Sequence, residues 1–146
     1  VDGIVLSAIA MTSDKDQCSF LNEAGRCSIH MFRPGFCRLF PLGRVYDGTG
    51  FSYFLQTGQC KKEHLAKVKV RQWINIPELK RYEQFVCDWH YFLKDLAKTS
   101  QGLSPELIKT LHSYILKVFY LTPYQDGSDF YDQFYMRLND AKKLFL

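Results

Sequence analysis

The sequence lacks long hydrophobic runs. No apolar stretch approaches the roughly 20 consecutive residues that a membrane-spanning helix requires. The opening VDGIVLSAIAMTS is partly apolar, but it has neither the basic start nor the small-residue cleavage pattern of a secretory signal. We therefore expect a soluble protein located in the cytoplasm, without association with a membrane.

A large excess of one charge is also absent. The net charge is only +4, and charged residues make up 23% of the chain. The surplus of lysine and arginine lies mainly in residues 61–81. Because such a mild surplus is typical of a solvated basic face, we do not expect a nucleic-acid partner.

Motifs that identify common enzymes are missing as well. The sequence has no phosphate-binding glycine loop, no dinucleotide fingerprint and no pattern of a nucleophilic triad. The sequence therefore does not indicate a particular reaction, and whether the protein is an enzyme stays open.

At 146 residues the chain has the size of one ordinary domain. Its composition changes near residue 61, because four of the five cysteines come before that point and the long helical patterns come after it. We expect a single domain over residues 1–146, with a cysteine-bearing part in residues 1–60 and a helical part in residues 61–146.

Two turn signals in the first part predict β-hairpins. Asn22–Gly25 suits a tight turn between two short strands. Asp47–Gly50 joins two further strands that we predict over Leu42–Tyr46 and Phe51–Gln56.

Three helices are predicted in the second part. Asn75–Glu78 resembles a capping box, and the apolar residues after it follow helical spacing: Leu79, Tyr82, Val86, Trp89, Leu93 and Leu96. Ser104–Glu106 gives a second start signal, and a third helix is expected from about Asp129 to the C-terminus. The predicted fold is α+β, with a small cysteine-rich hairpin and loop region packed against about three C-terminal helices.

Four cysteines carry the main chemical signal: Cys18, Cys27, Cys37 and Cys60. Thiolates bind zinc and iron, and ligands placed at turns can converge without breaking a helix. The closely spaced C-x₂₋₄-C pairs of zinc fingers are absent, however. From spacing alone, buried free thiols remain an alternative to metal ligands, with disulfides a third reading. We expect Cys87, inside the first predicted helix, to be a packed or half-exposed thiol rather than a ligand, and His64 to be a surface histidine.

The residues around these cysteines resemble the YkgJ-type cysteine-cluster family of zinc- or iron-chelating proteins. The likeness covers about residues 1–60 and follows the pattern C-x-F-L…G-x-C-x-I…R-P-x-x-C-R-x-F-P, with Cys60 assigned as a further cysteine. It implies metal ligation by the four cysteines. The family also has an upstream C-x-x-C-x-x-C-C group that this sequence lacks. We expect that group to precede Val1.

The resemblance favours an iron–sulfur cluster over zinc, and [4Fe–4S] over [2Fe–2S]. Arg33 and Arg38 bracket Cys37 and are the predicted cofactor-binding residues, with carbonyl or salt-bridge roles as the alternative. A redox or electron-transfer role with a protein partner would follow. Two alternatives remain: a structural zinc module that binds a partner, and a protein methyltransferase, since flagellin lysine methylases resemble this module distantly.

Overall fold

The structure is a computed structural model that describes residues 4–12, 17–59 and 66–146. The α+β prediction is confirmed, because helices and one antiparallel sheet occur together in these ranges. No helix there is long and apolar enough to cross a membrane. The elements follow in the order α1 (Gly35–Leu39), β1 (Leu42–Tyr46), β2 (Phe51–Leu55), α2 (Val70–Ile74), α3 (Leu79–Ser100), α4 (Pro105–Ile115), and α5 (Phe130–Phe145).

The chain forms two compact units. The first unit contains residues 9–83, and the second contains residues 1–8 and 84–146. The compositional change near residue 61 therefore lies inside the first unit. The expectation of a single domain stays a prediction.

The first unit contains the hairpin predicted around Asp47. Strands β1 and β2 pair antiparallel, with Leu42 opposite Leu55 and Tyr46 opposite Phe51. The turn forms because the Asp47 carboxylate accepts hydrogen bonds from the backbone amides of Thr49 at 2.9 Å and Gly50 at 2.7 Å. These bonds stabilise the charged carboxylate and lower the pKa of Asp47.

The earlier hairpin is present only as a turn. The Gly25 amide donates to the Asn22 carbonyl at 2.8 Å, but Leu21 and Cys27 form an isolated bridge rather than a ladder of strands. The residues around the turn are mostly exposed, so they give the segment no apolar face to bury. A short two-stranded ladder without such a face is marginal in water, which explains the difference.

The capping box predicted at Asn75 is wrong. Asn75 has a left-handed backbone, with φ of 47°, and ends the short helix α2 by donating its amide to the Arg71 carbonyl at 3.2 Å. Helix α3 begins at Leu79, after Glu78, which also has a positive φ of 50°. Asparagine suits a left-handed helix end as well as a helix start, and the sequence does not distinguish these two uses.

The predicted helices of the second part are confirmed. Ser104 begins α4 by accepting a hydrogen bond from the Leu107 amide at 3.4 Å, and Asp129 begins α5 by accepting one from the Asp132 amide at 3.0 Å. The core of the second unit includes buried residues of all three helices and of the N-terminal segment, among them Ile4, Phe92, Leu96, Leu111, Ile115, Phe134 and Leu138.

Helix α4 continues into a π-helical turn over Leu116–Leu121. Arg137 of α5 stabilises this turn by donating to the carbonyls of Val118 at 2.6 Å, Thr122 at 2.9 Å and Pro123 at 2.7 Å. Its guanidinium also lies 3.9 Å from the centre of the Tyr124 ring. The end of a helix leaves carbonyls without helical partners, and here the Arg137 side chain donates hydrogen bonds to them.

Truncating Phe92 should destabilise the second unit strongly. Its side chain is 1% exposed, so Phe92→Ala leaves a cavity that the surrounding helices fill only in part. We expect a loss of about 3–5 kcal/mol in the free energy of unfolding, measured by urea denaturation. Lys94→Ala, on the exposed side of the same helix, is the control and should change stability by less than about 0.5 kcal/mol. Equal effects of the two variants would contradict this account of the core.

Candidate metal centre

Three of the four predicted metal ligands lie in the first unit, on separate pieces of backbone. Cys18 forms an isolated bridge with Met11, and Cys27 forms one with Leu21. Cys37 lies in the middle of α1. All three are partly exposed and none is in a disulfide.

Cys18 and Cys27 each act electrostatically on Cys37. Burial raises the pKa of Cys37, and the neighbouring Cys18 and Cys27 raise it further. Such repulsion acts only over short distances in water, because solvent and salt screen charges that are farther apart. Cys18 and Cys27 are therefore close enough to Cys37 to influence its pKa.

The thiols are close without being arranged around an ion. Within residues 4–12, 17–59 and 66–146, no three histidine, cysteine or acidic side chains are grouped so that they could hold a metal. The donors fit zinc or iron in kind, since both metals bind thiolates.

Cys60, the fourth predicted ligand, lies outside the described residues, and so does His64. Their predicted roles stay predictions. Cys87 is 8% exposed within α3, which confirms the expectation of a packed thiol.

Arg33 lies beside the cysteine cluster. Burial has the largest effect on the pKa of Cys37, and the positive charge of Arg33 opposes that rise. The Arg33 Nε also donates to the His30 carbonyl at 3.1 Å, which fixes the side chain next to the backbone of its own loop. Arg33 is therefore placed to stabilise thiolate charge at Cys37, and its role in binding a cofactor stays a prediction.

Arg38 connects three parts of the first unit. Its guanidinium donates to the carbonyls of Met31 at 3.1 Å, Arg33 at 3.2 Å and Asn75 at 3.2 Å. These contacts are those of the carbonyl-binding role that we gave as the alternative for Arg38. Cofactor binding by Arg38 stays a prediction. The arginine next to Cys37 holds the loop before α1 and the end of α2.

A further arginine, Arg44 of β1, was not singled out from the sequence. Its Nη2 donates to the Tyr82 hydroxyl at 2.9 Å, and its guanidinium carbon lies 5.2 Å from the Phe51 ring centre, 5.9 Å from that of Tyr53 and 5.5 Å from that of Tyr82. A cation over aromatic faces is attracted by their negative quadrupole. Arg44 and Tyr82 are 38 residues apart, so no local pattern in the sequence could have paired them.

An open apolar groove lies at the end of the hairpin, with a volume of about 490 Å³. The groove is in the size range of small-molecule sites, and among the described residues none that lines it is a cysteine. Cys18, Cys27 and Cys37 therefore do not line the groove. Its lining residues are Pro41, Leu42, Leu55, Ala66, Lys67, Val68, Val70 and Trp73.

The first unit thus belongs to the class of small cysteine-rich domains with neighbouring free thiols. Residues 5–68 match the model of the CxxCxxCC family, whose description is "Putative zinc- or iron-chelating domain". Over this segment the chain is similar to the cysteine-cluster family that its motifs resemble. No curated protein and no solved structure matches the chain. The family and the neighbouring thiols together support metal binding through cysteine.

Removing a neighbouring thiol should lower the pKa of Cys37 in the metal-free protein. Cys18→Ser takes away one source of repulsion, so Cys37 should be alkylated by iodoacetamide at a lower pH than in the wild type. Arg33→Gln should shift the alkylation profile to higher pH, because it removes the opposing positive charge. Peptide mass spectrometry across a pH series measures both effects. Superimposable profiles for the three proteins would show that these groups are too far from Cys37.

Proposed function

We propose that this protein binds a metal centre through Cys18, Cys27, Cys37 and Cys60, the last being the fourth ligand. The observation that carries the proposal is the position of Cys18 and Cys27 within electrostatic reach of Cys37, although these residues lie on three separate backbone segments. Isolated buried thiols would have no such mutual effect. The family match over residues 5–68 gives independent support.

Metal binding to such thiols involves the release of protons. A metal ligand must be a thiolate, while burial and the neighbouring thiols raise the pKa of Cys37 in the metal-free chain. A cation supplies the positive charge that makes three adjacent thiolates compatible. Affinity for the metal should therefore increase with pH, and binding should stabilise the folded first unit.

For the metal, we propose an iron–sulfur cluster of the [4Fe–4S] type with a redox role, and zinc is the alternative. This choice rests on the resemblance to the family, because four thiolates satisfy either metal. An iron–sulfur cluster would supply one-electron chemistry, and the Arg33 charge near Cys37 would favour the reduced form. Zinc with four cysteines would instead be structural. A redox partner protein and a cytoplasmic location stay predictions.

Serine substitutions test the ligand set. Cys18→Ser, Cys27→Ser, Cys37→Ser and Cys60→Ser should each weaken metal binding by roughly a hundredfold. This follows because an apparent binding energy of about 10–16 kcal/mol, divided among four ligands, is about 3 kcal/mol for each. The measurement is metal content and visible spectrum of the full chain, purified and kept without oxygen.

Cys87→Ser is the matched control, since Cys87 is the buried cysteine of α3 and should leave metal content unchanged. A brown protein with iron and acid-labile sulfide would support the cluster, and a colourless protein with one zinc would support the alternative. Wild-type protein without bound metal after reconstitution with either would contradict the proposed function.

A further inference from the structure

Helix α1, which carries Cys37, packs against the ring of Tyr82 through a glycine. Gly35 is the first residue of α1 and lies two positions before Cys37. A side-chain carbon added at Gly35 would be 2.8 Å from Cζ and 2.9 Å from Cε2 of Tyr82, and closer still to its hydroxyl. Those distances are shorter than contacts between non-bonded carbon atoms. The Tyr82 ring therefore limits how closely α1 can approach it.

Tyr82 has little freedom to move away. Its side chain is 9% exposed, and its hydroxyl accepts a hydrogen bond from the Arg44 guanidinium at 2.9 Å. The same guanidinium lies 5.5 Å from the centre of the Tyr82 ring, so the two groups contact each other in two ways. Rotating the ring out of place would break both contacts.

Arg44 is itself fixed by the hairpin. The rings of Phe51 and Tyr53, both on β2, lie 5.2 Å and 5.9 Å from its guanidinium carbon. Tyr53 in turn donates its hydroxyl to the Glu83 carboxylate at 3.0 Å, on the helical turn that carries Tyr82. The sheet and the start of α3 are thereby connected through side chains, and both sides hold Tyr82 against Gly35.

We propose that Tyr82, held by Arg44, is a positioning residue for the metal ligand Cys37. It acts through Gly35 by setting the place and tilt of α1, and the proposal rests on the metal-binding function above. Residues that orient ligands without touching the metal commonly change affinity by about 10–100-fold. Tyr82 lies outside the segment that matches the family, so this role belongs to the chain beyond residue 68.

Gly35→Ala is the first test, with Co²⁺ as the probe because its thiolate charge-transfer band reports how many sulfurs bind. We expect affinity for Co²⁺ to fall about 10–100-fold, with a weaker or shifted band. Gly50→Ala is the matched control in the same unit, because nothing lies within 4 Å of a carbon added there. The control should bind Co²⁺ like the wild type.

A double-mutant cycle separates positioning from general instability. If Gly35→Ala acts by pushing on Tyr82, then Tyr82→Leu, which removes the ring, should reduce the additional effect of Gly35→Ala to less than about threefold. The same loss of affinity with and without the Tyr82 ring would overturn the proposal. Urea unfolding of each metal-free variant gives the change in stability for comparison.

Tyr82→Phe gives a test that does not depend on the folding of the glycine variant. It keeps the ring and removes the hydroxyl that Arg44 binds, so we expect roughly a tenfold loss of Co²⁺ affinity and a changed charge-transfer band. An unchanged affinity and spectrum in a wild type that binds Co²⁺ would overturn only the positioning role. A wild type that binds no Co²⁺ would overturn the positioning role, and one that also takes up neither iron–sulfur nor zinc on reconstitution would overturn the proposed function as well.

Discussion

The placement of Cys37 depends on hydrogen bonds from the side chains of Arg33 and Arg38 to backbone carbonyls. Between residues 9 and 40 the described chain contains two isolated bridges and two short helical segments, so regular ladders cannot hold the thiols in place. Arg38 instead binds carbonyls from the loop before α1 and from the end of α2. Arginine suits this task because its planar group offers five donors in a fixed geometry, and because carbonyls left without partners are costly when shielded from water. Arg137 does the same at the π-helical turn of the second unit.

Local signals in the sequence were sufficient for the larger elements. The Asp47 turn, the Ser104 start and the Asp129 start each depend on a side chain that binds backbone groups within three residues, and all three form as predicted. The short helices α1 and α2 were not predicted, because five residues give too few helical bonds to show a periodic pattern. Their formation depends on contacts from residues far away in the sequence.

The sequence gives candidate ligand residues for the site, but it does not give their arrangement in space. Cysteines and family motifs predict Cys18, Cys27 and Cys37 as ligands from the sequence, and that role stays a prediction. The bridges and turns that bring Cys18 and Cys27 within electrostatic range of Cys37 have no clear local signal. The contact of Tyr82 with Arg44 was equally inaccessible, although Tyr82 belongs to the apolar helical pattern and is indeed buried. Apolar spacing predicts that a tyrosine is buried, yet it does not say which polar group its hydroxyl will meet.

Opposing effects of its neighbours set the pH at which the Cys37 thiol ionises. Burial and the two other thiols make the Cys37 thiolate unfavourable, and one guanidinium reduces that cost without cancelling it. The metal-free chain therefore keeps Cys37 protonated over a wider pH range than an ordinary thiol, which protects it from reactions that require the thiolate. Under the proposed function, a bound cation would reverse this balance, because it would attract all of the ligating sulfurs at once while Arg33 attracts mainly the nearest. The same local charges are thus compatible both with a protected thiol and with the proposed binding of a metal.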